Sequence, residues 1–540
     1  MASEPEKPTL FLRKASGLAR EWSLFDAFAF QSWLSPLIAG SYIFTYAYVF
    51  PAGNLVIAIF LLLAFATFEC LVYAMMVPTM PRVGGDYIWQ SRILHPLVGF
   101  VVMFVGWCIV LQMWIPIYDV VYVDQYYAPL AAMYGNVNLA YWLMGQNGIF
   151  VTSIISTLVA LAFCSFGMKA FAKLLRLFLY LSLAGAVVVM IVLPLYSHAA
   201  FVSGYNAFAH NVLGYNGTNN YQDTISAAQK AGIYAPIGYT PWNIAASLPL
   251  VSLVTFWGIY SIWSAPMYGE VRGAESVKKT FYSFIVGDWP LGLMTVAIML
   301  FTYNVASYDF YNAASGAFWS GLSSVTPLQP SPAFWVYILT GNAPLTAFIL
   351  ISTAVMLLLL SGGENYFLIS RFLFAMSFDR VLPAFFAKLH TRNRIPGWTY
   401  LYITIITVIF SWLYAYNVYG FSIVTLDGTV TLSLGFTVTA LAALLLPYRR
   451  KDLFNASPAS NYMVGGIPLI TICGAGWFFF SLWYTYYWVV DARYGVNNPV
   501  SAIFLVFCYA ATSVFFVVYR WYRKRQGIDV DMIFREIPGE

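Results

Sequence analysis

From Leu55 to Thr79 the chain carries a single charged side chain, Glu69, in an otherwise apolar run. About 20 such residues cross the hydrocarbon core of a bilayer as a helix. A soluble surface helix of that length needs a polar face, and this run has none. Comparable runs recur along all 540 residues, so that 61% of the chain is hydrophobic and 9% charged, against about 25% charged in a soluble domain. The chain therefore reads as an integral membrane protein. Its apolar runs are too long for barrel strands, which leaves helices as the spanning elements.

Apolar length and breaker residues predict spans near 23–50, 53–79, 97–121, 149–167, 174–197, 243–268, 280–303, 345–372, 397–417, 429–447, 465–489 and 498–520. With the N-terminus inside, all but two of the 27 basic residues fall on the cytoplasmic side, the exceptions being Lys230 and Arg493. That asymmetry follows the positive-inside rule. Both termini are expected in the cytoplasm of a multi-pass protein of the cell membrane. Three connections on the other side, about 122–148, 198–242 and 304–344, are long, rich in Tyr, Asn, Gly and Ser, and read as ordered external caps. One of them holds Asn216-Gly217-Thr218, which fits a glycosylation sequon.

Several functions are disfavoured by what the chain lacks. The four histidines, His95, His198, His210 and His390, lie in or beside connections, whereas a membrane haem needs axial ligands within spans. The five cysteines, Cys70, Cys108, Cys164, Cys473 and Cys508, sit inside apolar runs as small hydrophobes. Neither a phosphate-binding loop nor a potassium-filter sequence occurs. No catalytic cluster, metal site, cofactor or nucleic-acid partner is expected, and the chain reads as a non-enzyme.

Spans 1–5 and 6–10 read as two halves, and because five is odd the second half is inverted relative to the first. Many secondary transporters follow this plan and interrupt the first helix of each half near the bilayer midplane. Span 1 offers Gln31-Ser32-Trp33-Leu34-Ser35-Pro36-Leu37-Ile38-Ala39-Gly40-Ser41, and span 6 offers Trp257-Gly258-Ile259-Tyr260-Ser261-Ile262-Trp263-Ser264-Ala265-Pro266. A plain proline kink is the simpler reading of either segment alone; their matching place in both halves favours a site. The substrate-binding candidates are Ser35, Pro36, Ile38, Ala39, Gly40, Trp257, Gly258, Tyr260 and Ser261. The two breaks are expected to face one another across a central cavity. The expected fold class is an all-α membrane protein of twelve transmembrane helices: a 5+5 inverted repeat with helices 1 and 6 broken, plus two C-terminal helices. The divisions are a segment 1–22, first repeat 23–197, external loop 198–242, second repeat 243–447, spans 11 and 12 over 448–520, and a tail 521–540.

Three further segments carry a family resemblance. Pro81-Arg82-Val83-Gly84-Gly85-Asp86-Tyr87, with Arg92, Gly99-Phe100 and Gly106-Trp107 after it, resembles the P-x-x-G-G-x-Y … G-F … G-W pattern of the amino acid–polyamine–organocation (APC) superfamily. Gly269-Glu270-Val271-Arg272 is similar to its G-E-x-K/R segment after span 6, and Ser370-Arg371 through Met376, Asp379 to Pro383 and Pro396 to the segment after span 8. The resemblance covers roughly residues 23–455 and implies an amino acid permease. The chain departs from the family in span 1, where Gly40 alone remains of a G-x-G signature, and in span 6, where Tyr260-Ser261-Ile262 lies near the usual G-F-E. Some proton-coupled members place a lysine in span 5; here that span has only Lys173 and Arg176 at its start, and Ser182 lies near the comparable position.

Ionised acids at bilayer depth cost several kcal/mol, so an acid found there is paired, neutral or functional. Glu69 in span 2, Asp288 in span 7 and Glu364 late in span 8 are the proton-coupling candidates, with Glu69 leading and Glu364 last because it approaches the cytoplasmic end. A structural acid holding helices together is the plainer alternative for each. The function expected is secondary active import of an amino acid or related amine by alternating access, coupled to H⁺, with Na⁺ as the rival ion. The substrate carboxylate would meet free N–H groups at one break and its amine the carbonyls of the other. A non-transporting membrane receptor or complex subunit, or an exchanger of another small organic solute, stands as the alternative.

Overall fold

The computed structural model describes residue 18 and residues 20–239, 243–322, 324–325, 327–390 and 394–535. Almost all of its regular structure is helical; a two-residue hairpin, Met463–Val464 with Ile467–Pro468, lies in one connection. Among the described residues ten helices are long and apolar enough to cross a membrane: Leu55–Thr79, Pro96–Met133, Gln146–Ser165, Met168–Leu195, Val277–Ala306, Ala343–Phe378, Gly397–Ala415, Val418–Arg449, Leu469–Val490 and Pro499–Arg525. This is a multi-pass membrane protein.

Polar caps mark where helices begin. Asn54 accepts from the backbone of Val56 at 2.9 Å, Ser276 caps Val277–Ala306, and Asn342 and Asn498 cap helices whose first turn carries a proline. Outward faces are apolar: Ile503 is 71% and Phe507 68% exposed, a surface suited to lipid and not to water. Between helices, small residues allow close approach. A Cβ on Gly474 would lie 2.7 Å from the backbone nitrogen of Leu444, which sets how tightly Leu469–Val490 packs on Val418–Arg449.

Two predicted spans are not continuous helices. The first is divided into Leu24–Phe30, a single 3₁₀ turn Ser32–Leu34, a non-helical step, Ala39–Ile43 and a 3₁₀ stretch Phe44–Val49. The second runs as Ile244–Gly258, then 3₁₀ turns Ile259–Ile262 and Ala265–Glu270. Other helices are longer than their apolar patterns suggest. The Pro96–Met133 helix continues beyond 121 through a π-helical turn Val123–Tyr127, and Ala343–Phe378 passes through another at Glu364–Leu368. Polar residues at these turns face protein and not lipid, so the helix tolerates them.

The first and last described segments lie at one end of the bundle, termed here the terminal end: Trp22 pairs with Val271, Arg20 with Glu275, and Phe534 packs under Arg92. The opposite, loop end is capped by the helices Val137–Met144, His198–Asn211, Asn220–Lys230, Tyr308–Trp319 and Pro332–Thr340. The external caps read from sequence are thus helical. Aromatic stacking holds them together, as in Tyr221 on Phe310 at 4.4 Å and Phe201 on Trp335 at 4.9 Å.

Candidate functional site

The break in the first interrupted segment follows from Pro36. A residue preceding proline is disfavoured in the α region, and Ser35 takes ψ 133° where the helix stops. Carbonyls released there are met by side chains: the Tyr126 hydroxyl donates to Leu37 O at 2.6 Å, and Ser41 Oγ to Ile38 O at 3.1 Å. The Ser35 hydroxyl is buried, with no partner among the described residues. Pro36 and Ile38 are buried beside it. Ala39, Gly40, Trp257 and Tyr260, also candidates from sequence, lie outside the residues whose side chains are described.

The two breaks meet. Gln31, fully buried, spans the gap: its amide nitrogen donates to Ser261 O at 2.7 Å and Ser283 O at 3.1 Å, and its oxygen accepts from the Ser264 hydroxyl. The sequence led us to expect a central cavity between them; among the described residues the contact is direct. Gly258 serves packing on its Cα side, since a Cβ there would come 2.4 Å from Leu62. Any solute contact at Gly258 is therefore through its backbone.

Three buried acids surround the junction. Asp288 accepts from Cys70 Sγ at 3.1 Å, and Cys70 is 3.7 Å from Ser261 Oγ in the second break. Glu364 accepts from the Tyr118 hydroxyl, which is 3.2 Å from each of its oxygens. Tyr118 also packs on Trp33 of the first break at 5.2 Å, while the Trp263 indole of the second reaches Glu364. Glu364 is fully buried. It was expected near a watery helix end, but its helix runs on to Phe378. Glu69 is equally buried, and neither of its oxygens has a hydrogen-bond partner among the described residues.

At the terminal end the three family-like segments converge. Arg371 makes a two-point pair with Glu270 at 2.7 and 3.0 Å, and Arg92 another with Asp379 at 2.6 and 2.7 Å. Tyr87 donates to Asp379 at 2.9 Å, Asp86 accepts from Tyr73 and from Thr439, and Gln90 donates to Gly435 O at 2.9 Å. Gly84 adopts φ +91°, and a Cβ there would come 2.5 Å from that of Ala375. Between this lock and the junction lies an aromatic layer, with Trp107 4.7 Å from Trp263 and 4.9 Å from Phe372. Sequence reading picked these segments out as a resemblance but not as one charged assembly; alternating Arg and acid in separate connections was the available signal.

Towards the loop end the packing opens into a cavity of about 320 Å³. Tyr42, Tyr46, Trp114, Tyr118 and Tyr414 form much of its wall. Its inner end thus reaches Tyr118, the hydrogen-bond donor to Glu364. Two buried acids on the Pro96–Met133 helix escaped the sequence reading: Asp119, which accepts from Ser156, and Asp124. Asp119 falls inside the predicted span 97–121, which was the signal available for it, whereas Asp124 lies past the apolar run. The Ser361 hydroxyl is 2.5 Å from that of Tyr122. No group of three or more His, Cys, Asp or Glu able to hold a metal occurs among the described residues. A scan against protein-family models returns no match, and no curated protein matches the chain.

Proposed function

We propose that the protein is a secondary active transporter of amino acids or related amines, working by alternating access and coupled to protons. The observation that carries this reading is the buried meeting of two interrupted helices through Gln31, with Asp288 and Glu364 each one contact from a break. Interrupted helices present backbone groups at membrane depth where a polar solute needs partners. Acids without ionic partners at that depth are suited to carrying protons. Counting each interrupted segment as one crossing beside the ten long helices gives twelve, which supports a reading as a 5+5 inverted repeat with two further helices. The charge distribution of the sequence supports cytoplasmic termini.

On this reading the terminal-end ion pairs form a closed inner gate, and the aromatic cavity is the outer approach. Rocking of the interrupted segments would separate Arg371 from Glu270 and Arg92 from Asp379 while closing the cavity.

The test is uptake into proteoliposomes of the purified protein across a panel of amino acids and amines, with pH and Na⁺ gradients imposed separately. Accumulation of at least one solute on the pH gradient alone is expected. Accumulation on Na⁺ alone would replace the coupling ion. Absence of both uptake and counterflow for the whole panel would overturn the transporter reading in favour of a receptor or complex subunit.

A further inference from the structure

Asp124 is the second residue of the π-helical turn Val123–Tyr127 and is 5% exposed. π turns are rare and occur frequently at functional sites. Among the described residues the carboxylate has neither a hydrogen-bond nor an ion-pair partner. Other carboxylates of the chain are engaged: buried Asp379 by Arg92, and half-buried Asp309 by Tyr234 and the Gly238 backbone.

The surroundings of Asp124 are aromatic. Trp114, Ile117 with Tyr118, and Val121 place one face of their helix on the outer cavity, and the next step of that stripe is Asp124. Tyr42, Tyr46 and Tyr414, which also line the cavity, lie within electrostatic reach of the carboxylate. Trp319 closes the group, stacked on Tyr46 at 4.2 Å and edge-on to Tyr42 at 5.2 Å. The one charged side chain lining the cavity, Arg493, is held by Asp491 at 2.6 Å and lies over Phe50 at 4.4 Å. Among the described residues, the Asp124 carboxyl is thus an ionisable group beside the cavity that no ion pair holds.

We propose that Asp124 with Tyr42, Tyr46 and Tyr414 forms an outer binding site for an organic ammonium group carried on an apolar body. Ring faces attract a cation through their quadrupole, and a buried carboxylate gives it a charge-assisted partner. Volume suits the same ligand, because about 320 Å³ lies in the range of small-molecule pockets. A neutral isostere would gain the apolar contacts and forfeit the charge. An anion would meet Asp124 unfavourably. The inference deepens the transporter reading by naming the charged end of its solute, and rests on that reading only for the direction of traffic.

Binding separates the two. Purified full-length protein in nanodiscs is titrated with benzylammonium, phenethylammonium and the neutral benzyl alcohol, followed by calorimetry and intrinsic tryptophan fluorescence. The ammonium probes are expected to bind at least about tenfold more tightly than benzyl alcohol. Asp124→Asn is expected to remove that preference, Tyr46→Leu to weaken both probes, and Glu275→Gln, at the terminal end, to leave binding unchanged. Equal affinity for benzyl alcohol in the unaltered protein, which needs no variant to fold, overturns the proposal. So does an Asp124→Asn variant, folded by its thermal transition, that keeps the ammonium preference. Amino acid uptake without ammonium binding sinks this site and leaves the transporter; binding without any uptake does the reverse.

Discussion

The amide nitrogen of Gln31 donates to the main-chain oxygen of Ser261 at 2.7 Å, so the first interrupted helix is tied to the second by one side chain. Gln31→Leu leaves buried Ser261 and Ser264 without that partner, at a cost of about 1–3 kcal/mol. A lower unfolding midpoint is expected together with at least about tenfold slower uptake, since the same bond aligns the backbone groups of both breaks. Thermal unfolding paired with initial-rate uptake checks this. A lowered midpoint with unaltered uptake would make Gln31 structural only.

Proton coupling is expected to depend on Asp288 more than on Glu69. Asp288 reaches the second break through Cys70 and Ser261, whereas Glu69 has no hydrogen bond through which to act. Asp288→Asn should abolish accumulation on an imposed pH gradient and retain counterflow; Glu69→Gln should retain both. Accumulation by the first variant and its loss in the second would restore Glu69 as the carrier.

Separating the Arg371–Glu270 pair is expected to be costly on one side and less so on both. A buried charge left without its partner destabilises by about 3–5 kcal/mol, while removing both charges is far milder. Arg371→Met should therefore lower stability strongly, and Arg371→Met with Glu270→Leu should recover much of it. A double-mutant cycle on chemical or thermal unfolding gives the coupling. Additive losses would show that the pair contributes nothing as a pair.

Gly84 and Gly135 offer a matched comparison. Both have positive φ, +91° and +79°, but a Cβ on Gly84 strikes Ala375 while one on Gly135 meets open space. Gly84→Ala combines backbone strain of about 1–2 kcal/mol with a steric conflict at Ala375; Gly135→Ala has the strain alone. The first should lower the unfolding midpoint clearly more than the second. Equal shifts would mean that the connection after Leu55–Thr79 moves aside freely.

The membrane class, most helices and the places of both breaks were legible because long apolar runs and Pro36 act locally. Where polar residues interrupt a run, the local signal misleads. Asp124 and Gln125 read as the start of a loop, yet Gln125 hydrogen-bonds Gln329 inside the protein and the helix continues to Met133. Glu364 read as a helix end for the same reason, although Tyr118, far away in sequence, supplies its partner. Gln31 opens the stretch that marks the first break but was not among the candidates: its importance depends on Ser261, Ser264 and Ser283, which only the tertiary fold brings to it.

All five cysteines are buried, and Cys70 stands at the junction between Asp288 and Ser261. A thiol is modified as its thiolate, which needs water, so Cys70 is sealed from alkylation in this conformation. Each excursion that hydrates the junction would unseal it. The unaltered chain thus carries its own chemical clock, in which the rate of maleimide labelling from either face of the membrane counts the openings towards that face.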